Sequence, residues 1–139
     1  MRRLLPAAAL LAVALSACGP AASPEQAGAN QEILDRVAEQ LAAEDGVTDV
    51  RATYVDDAGN EAKASVRVDC RSCDIPAVLD SAVRAVWASE VTPLLAISAS
   101  VEDLDRAESD DVSLSVRTDE ADLTRTYGDR PVPSLPGDD

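Results

Sequence analysis

Histidine and phenylalanine are absent from the 139 residues, lysine occurs only at position 63, and the aromatic side chains are Tyr54, Trp87 and Tyr127 alone. Without histidine there is no Ser-His-Asp or Cys-His nucleophile, and the commonest metal ligand is missing. The chain also lacks G-x-S-x-G, a P-loop, G-x-G-x-x-G and H-E-x-x-H, so no catalytic or cofactor motif is present and no cofactor is expected. Three aromatics are few for a sugar-stacking platform or a hydrophobic groove. Basic residues are scarce, 12 against 26 acidic. Nucleic acid is therefore excluded as a partner, because phosphate binding draws its affinity from clustered Lys and Arg.

What is present begins at the amino terminus. Arg2 and Arg3 precede an apolar run from Leu4 to Leu15, and Leu15-Ser16-Ala17-Cys18 follows. The run is well short of the roughly 20 residues needed to span hydrocarbon, so residues 1–17 read as a signal peptide. The closing motif resembles the bacterial lipobox. In that lipoprotein family the motif cysteine carries diacylglycerol, the peptide is cut before it, and the new amino terminus is acylated. Membership implies a lipid anchor at Cys18 and a place on the outer side of the cytoplasmic membrane. Two or three acyl chains, at about 0.8 kcal/mol per buried methylene, hold a protein on a bilayer far better than one. Removing residues 1–17 leaves 122 residues with 10 basic and 26 acidic side chains, a formal charge of −16. That suits a single domain, and it argues against a second, electrostatic contact with anionic lipid.

Residues 18–29 lack apolar periodicity and are rich in Ala, Pro and Gly, which predicts a disordered tether. A domain is expected over 30–128. Asn30 is placed to cap a helix running to about Glu44, with Ile33, Leu34, Val37 and Leu41 on one stripe. Strands over 47–55 and 61–69 are joined by the turn-forming run 56–60. A second helix starts near Asp74, tolerates Pro76 in its first turn, and buries Ile75, Leu79, Val83, Val86 and Trp87. Strands over 94–101 and 112–116 flank an acidic loop at 102–110. A short helix is expected over 118–127 with Gly128 as its stop, and 129–139, with three prolines, as a disordered tail. The order α-β-β-α-β-β reads as a repeated helix-hairpin unit. The expected fold is an α+β two-layer sandwich of permuted ferredoxin-like type. Its four-stranded antiparallel sheet, ordered third, fourth, second, first in sequence, has the helices on one face.

Cys70-Arg-Ser-Cys73 lies between a strand and a helix. With Cys18 taken by lipid, the two remaining cysteines are an even pair in an oxidising compartment, so a disulfide is expected. Closing so short a loop contributes about 2 kcal/mol at best. A C-x-x-C at such a place also resembles thioredoxin-like oxidoreductases, but no aromatic precedes Cys70, the helix comes first, and Thr92-Pro93 is the only other echo. Two thiolates are half of a zinc site, and no second C-x-x-C exists. The acidic loop, Glu102, Asp103, Asp105, Glu108, Asp110 and Asp111, offers oxygens of the kind calcium takes, without the glycine and glutamate positions of an EF-hand. A solvated loop is the plainer expectation, and no metal site is assigned.

Strand alternation sends Arg51, Lys63, Arg67 and Arg117, with neighbouring Ser and Thr, to the sheet face away from the helices. These four basic residues form a candidate binding face for an envelope protein or an anionic polymer; the plainer alternative is a wet face whose arginines pair with nearby acids. Residues 30–131, with Trp87 before a Thr-Pro strand and the closing Tyr127-Gly128-Asp129-Arg130-Pro131, resemble small actinobacterial lipoproteins, a likeness that implies no activity. The expected role is a membrane-anchored, non-enzymatic binding or assembly module of the cell envelope. The alternative is a thiol-disulfide redox protein using Cys70 and Cys73.

Overall fold

The computed structural model describes residues 22–57 and 60–135. The expected signal peptide, Cys18, the first part of the expected tether and residues 136–139 lie outside the described residues.

The chain runs α1 (Pro24–Ala42), β1 (Val47–Asp57), β2 (Asn60–Cys70), α2 (Ile75–Trp87), β3 (Ala96–Asp103), β4 (Glu108–Ser115) and α3 (Val116–Tyr127). Helix α1 begins seven residues earlier than a cap at Asn30 would place it. Ser23 caps it by accepting from the Gln26 N–H, and Pro24 opens the first turn, where its missing N–H costs nothing. Residues 24–29 are thus helical, not tether. Asn30 is no cap: it is fully buried, its amide donates to the Thr92 carbonyl (3.0 Å), and its oxygen accepts from the Thr92 N–H (3.2 Å). Helix α2 begins as its sequence indicates, with Asp74 accepting from the Ala77 N–H.

The sheet is mixed, with spatial order β1-β2-β3-β4. β1/β2 and β3/β4 are antiparallel hairpins, and β2 pairs with β3 in parallel. This corrects the expected antiparallel order, in which β4 would lie beside β2. The 13-residue helix α2 stands between β2 and β3. A connection of that length is what a parallel crossover requires, so β2-α2-β3 forms a β-α-β unit.

All three helices supply one core with the inward side chains of the sheet. Leu34, Val37 and Leu41 of α1, Val78 to Trp87 of α2, and Val116 and Leu123 of α3 meet Ala64, Val66, Val68, Ile97, Ala99 and Val101. Segment 128–135 is also docked, contrary to the disordered tail expected there. The Trp87 indole N–H donates to the Gly128 carbonyl (2.8 Å), Thr92 Oγ1 to the Pro133 carbonyl (2.8 Å), and the Leu94 N–H to the Ser134 carbonyl (2.8 Å). Arg130 donates to the carbonyls of Trp87, Ser89 and Val91 and lies over the Trp87 ring, 5.5 Å from its centroid. A guanidinium there satisfies orphan carbonyls after the end of α2 and complements the negative pole of the helix. Burial lowers the Arg130 pKa to about 10.

Candidate functional site

Both edges of the sheet are blunted. On β1 the Gln31 side-chain amide acts as a substitute strand: its Nε2 donates to the Ala52 carbonyl (2.9 Å), and its Oε1 accepts from the Tyr54 N–H (2.9 Å). On β4 the run Glu108-Ser-Asp-Asp111 puts like charges along the edge, which discourages strand addition. Among the described residues, the face opposite the helices is the part of the sheet left open.

That face is ordered in rows across the four strands. Thr53, Ser65, Ser98 and Ser113 stand in register as an unbroken line of hydroxyls. One row toward the cysteine end come Arg51, Arg67, Ser100 and Asp111, and beyond them Asp49, Asp69, Glu102 and Ser109. On the other side lie Val55, Lys63, Ala96 and Ser115. Arg51, Arg67 and Lys63 thus share one sheet face, with Lys63 across the hydroxyl row from the two arginines. Arg117 is not with them: β4 ends at Ser115, the chain turns into α3, and Arg117 sits exposed in its first turn.

Arg51 and Arg67 are direct cross-strand partners, a repulsive arrangement unless neutralised. Carboxylates neutralise it: Arg51 pairs with Asp49 (3.4 Å), and Arg67 with Asp69 (3.5 Å) and Glu102 (3.0 Å). Counting Asp111, acids on this face outnumber the cations Arg51, Lys63 and Arg67, so no positive field is left for an anionic polymer.

The second cluster is at the end of the sheet where β2 and β3 stop. Cys70 and Cys73 form a disulfide, Cys70 fully buried and Cys73 7% exposed. Asp103, expected in a solvated loop, is the last residue of β3 and is wholly buried beside them. Its Oδ1 accepts from the N–H groups of Ser72 (3.1 Å), Asp105 (3.0 Å) and Arg106 (3.3 Å). Its Oδ2 accepts from the Cys73 N–H (3.1 Å) and Arg106 Nε (2.8 Å), with Arg106 Nη2 at 2.7 Å. Burial opposes ionisation, yet the Arg106 guanidinium and the backbone donors together bring the Asp103 pKa down to about 2. Arg106 also donates to the Cys73 carbonyl, and Arg71 and Ser72 Oγ hold Asp105 (2.8 and 2.9 Å). One carboxylate thus fastens the cysteine loop to the β3–β4 turn. The alternation of Val101, Glu102 and Asp103 is the only sign of it in the sequence.

Cys70, Cys73 and Asp103 offer ligand atoms within 4.8 Å of one another, the one such metal-sized group among the described residues. The sulfurs are joined, and both Asp103 oxygens already carry three donors each, so the group is occupied by the fold itself. Redox chemistry is poorly served as well. In the parallel register Ala96 lies beside Lys63 and Asp103 beside Cys70. Thr92-Pro93, which leads into β3, is therefore at the opposite end of the sheet from the disulfide. At about 3.3 Å per residue that separation exceeds 20 Å.

No protein-family model matches the chain, and no curated protein or solved structure matches it either. Among the described residues no helix is long and apolar enough to cross a membrane.

Proposed function

We propose that the protein is a lipid-anchored, non-enzymatic binding or assembly module on the outer side of the cytoplasmic membrane, and that its partner is another envelope protein lying across the open face of the sheet. Support for the anchor is the lipobox-like Leu15-Ser16-Ala17-Cys18. The observation that carries the binding face is the in-register line Thr53-Ser65-Ser98-Ser113: a flat row of short hydroxyls, flanked by self-neutralised charges, on a sheet whose two edges are blocked. Short hydroxyls both donate and accept, so the row suits the peptide groups and polar side chains of a protein surface. Four strands at about 4.8 Å spacing and four rows give each side roughly 400–500 Å². The total, near 1,000 Å², is at the lower limit of specific interfaces and fits a transient contact.

A photo-crosslinking residue placed at Ser98 in the native host is expected to give a discrete adduct. The same probe at Glu39, on the exposed side of α1, is expected to give none. Adding Ser113→Arg should abolish the Ser98 adduct without changing protein level; equal adducts from Ser98 and Glu39, or one indifferent to Ser113→Arg, would discard the face.

A further inference from the structure

We infer that the domain stands on end at the bilayer, with its Pro93 end toward the lipid headgroups and its disulfide end pointing away. This rests on Cys18 being the anchor. The chain beyond the described residues limits the geometry. Ala22 is already fixed to the body, its N–H donating to Asp56 Oδ2 near the end of β1. Ser23 then caps α1. Four residue steps separate Cys18 from Ala22, which fully extended reach about 14 Å. The sequence alone suggested a tether running to residue 29; helix formation back to Pro24 removes most of its length.

The elements gathered at the anchored end follow from the topology. α1 starts there, the β1–β2 hairpin turns there, α2 finishes there at Trp87, and segment 128–135 packs there against Trp87, Thr92 and Leu94. At the other end lie the disulfide, the Asp103 cluster and Leu104, which is 42% exposed and the only exposed large hydrophobic among the described residues. β3, running from Ala96 to Asp103, sets the two ends roughly 25 Å apart. An open sheet face held upright in this way is presented sideways to neighbours on the same membrane.

Charge at the anchored end sets its distance from an anionic bilayer. Asp56, Asp57, Glu61, Glu90 and Asp129 are there, against Lys63, Arg117 and the enclosed Arg130. Anionic headgroups repel such a surface, so on an anionic bilayer the domain stands farther from the headgroups. Salt should relax this repulsion, since at 0.1 M the screening length falls to about 10 Å.

Trp87 is the sole tryptophan and sits at the anchored end. The lipidated protein is reconstituted into vesicles of neutral or anionic phospholipid carrying a dansyl-labelled headgroup, and energy transfer from tryptophan is measured. Flotation with the vesicles first confirms the anchor, and Cys18→Ser must fail to float; if it floats, the anchor reading itself is wrong and not the orientation. For floating protein, Trp87 emission should be quenched by the headgroup dye. Leu104→Trp, which leaves Trp87 in place and alters only an exposed side chain, should lower the quenched fraction toward half. On anionic vesicles, raising salt from 0.05 to 0.5 M should increase Trp87 quenching, with a smaller change on neutral ones. A quenched fraction that is unchanged or higher in Leu104→Trp would overturn the orientation.

Discussion

Replacing Arg130 with alanine removes the clip that holds segment 128–135 to the end of α2. The guanidinium donates to three backbone carbonyls, at 3.1 Å (Trp87), 2.8 Å (Ser89) and 2.6 Å (Val91), and covers the Trp87 ring. Each charge-assisted bond is worth about 1 kcal/mol net when water can reach the vacated carbonyl. The favourable interaction of a cation with a helix carboxy terminus adds about 0.3–1 kcal/mol. Stacking on the indole adds about 0.5–1 kcal/mol. The loss should therefore total about 4–5 kcal/mol. For a domain of roughly 110 residues, 1 kcal/mol shifts Tm by about 4 °C, so Arg130→Ala should melt about 16–20 °C lower. Urea unfolding followed by Trp87 fluorescence measures the same quantity and reports the site directly. Arg130→Lys keeps the charge but not the fork of donors, and should recover no more than about a third of the loss. A destabilisation under about 0.5 kcal/mol for Arg130→Ala, or wild-type stability in Arg130→Lys, would refute the clip.

The Asp103 carboxylate has its pKa lowered to about 2 in the folded chain, below its ordinary value of 3.8. A depressed acid stabilises above its unfolded pKa, so that stability should fade as pH drops from about 4 to 2; in Asp103→Asn the fade should be missing and hydrogen exchange at Ser72 and Cys73 faster at neutral pH. Tyr54 and Tyr127 both have pKa values raised to about 12, by burial first and then by Asp56 and by Asp80. The unfolded chain loses these protons near pH 10, so stability should fall from pH 10 to 12, and ultraviolet difference titration should show no phenolate near 10 while the protein is folded. Cys70→Ala/Cys73→Ala should cost at most about 2 kcal/mol, as the chain-entropy estimate for so short a loop requires. The native pair, with both sulfurs buried, should have a reduction potential below about −300 mV; a value near −200 mV would revive a redox role.

Much of the architecture was legible in local chemistry. The Asp74 cap, Pro76 and the apolar stripe through Trp87 define α2, and the 56–60 turn defines the first hairpin. The start of α1 was hidden because Ser23-Pro24-Glu25, a sound helix opening, lies among Ala and Gly that resemble linker. Strand order was misjudged because alternation reports which face a residue takes, not which neighbour it meets; the length of α2 was the signal for a parallel crossover. Arg117 was misplaced for a related reason, since Val112 to Val116 alternates like a strand although Val116 is already the first residue of α3. Asp103 and Arg130 were beyond local reading. Each acts through contacts about 30 or more residues away, and a charged side chain in an acidic loop or a proline-rich tail carries no mark of burial.

The proposed membrane address underlies both the proposed partner and the orientation. It is tested most directly by mass spectrometry of the amino-terminal peptide of the protein purified from membranes of its native host. The expected peptide begins at Cys18, with diacylglycerol on the sulfur and a mass that shifts when the lipid is hydrolysed. A mature chain that begins at any other residue, or a Cys18 with a free thiol, would contradict the assignment.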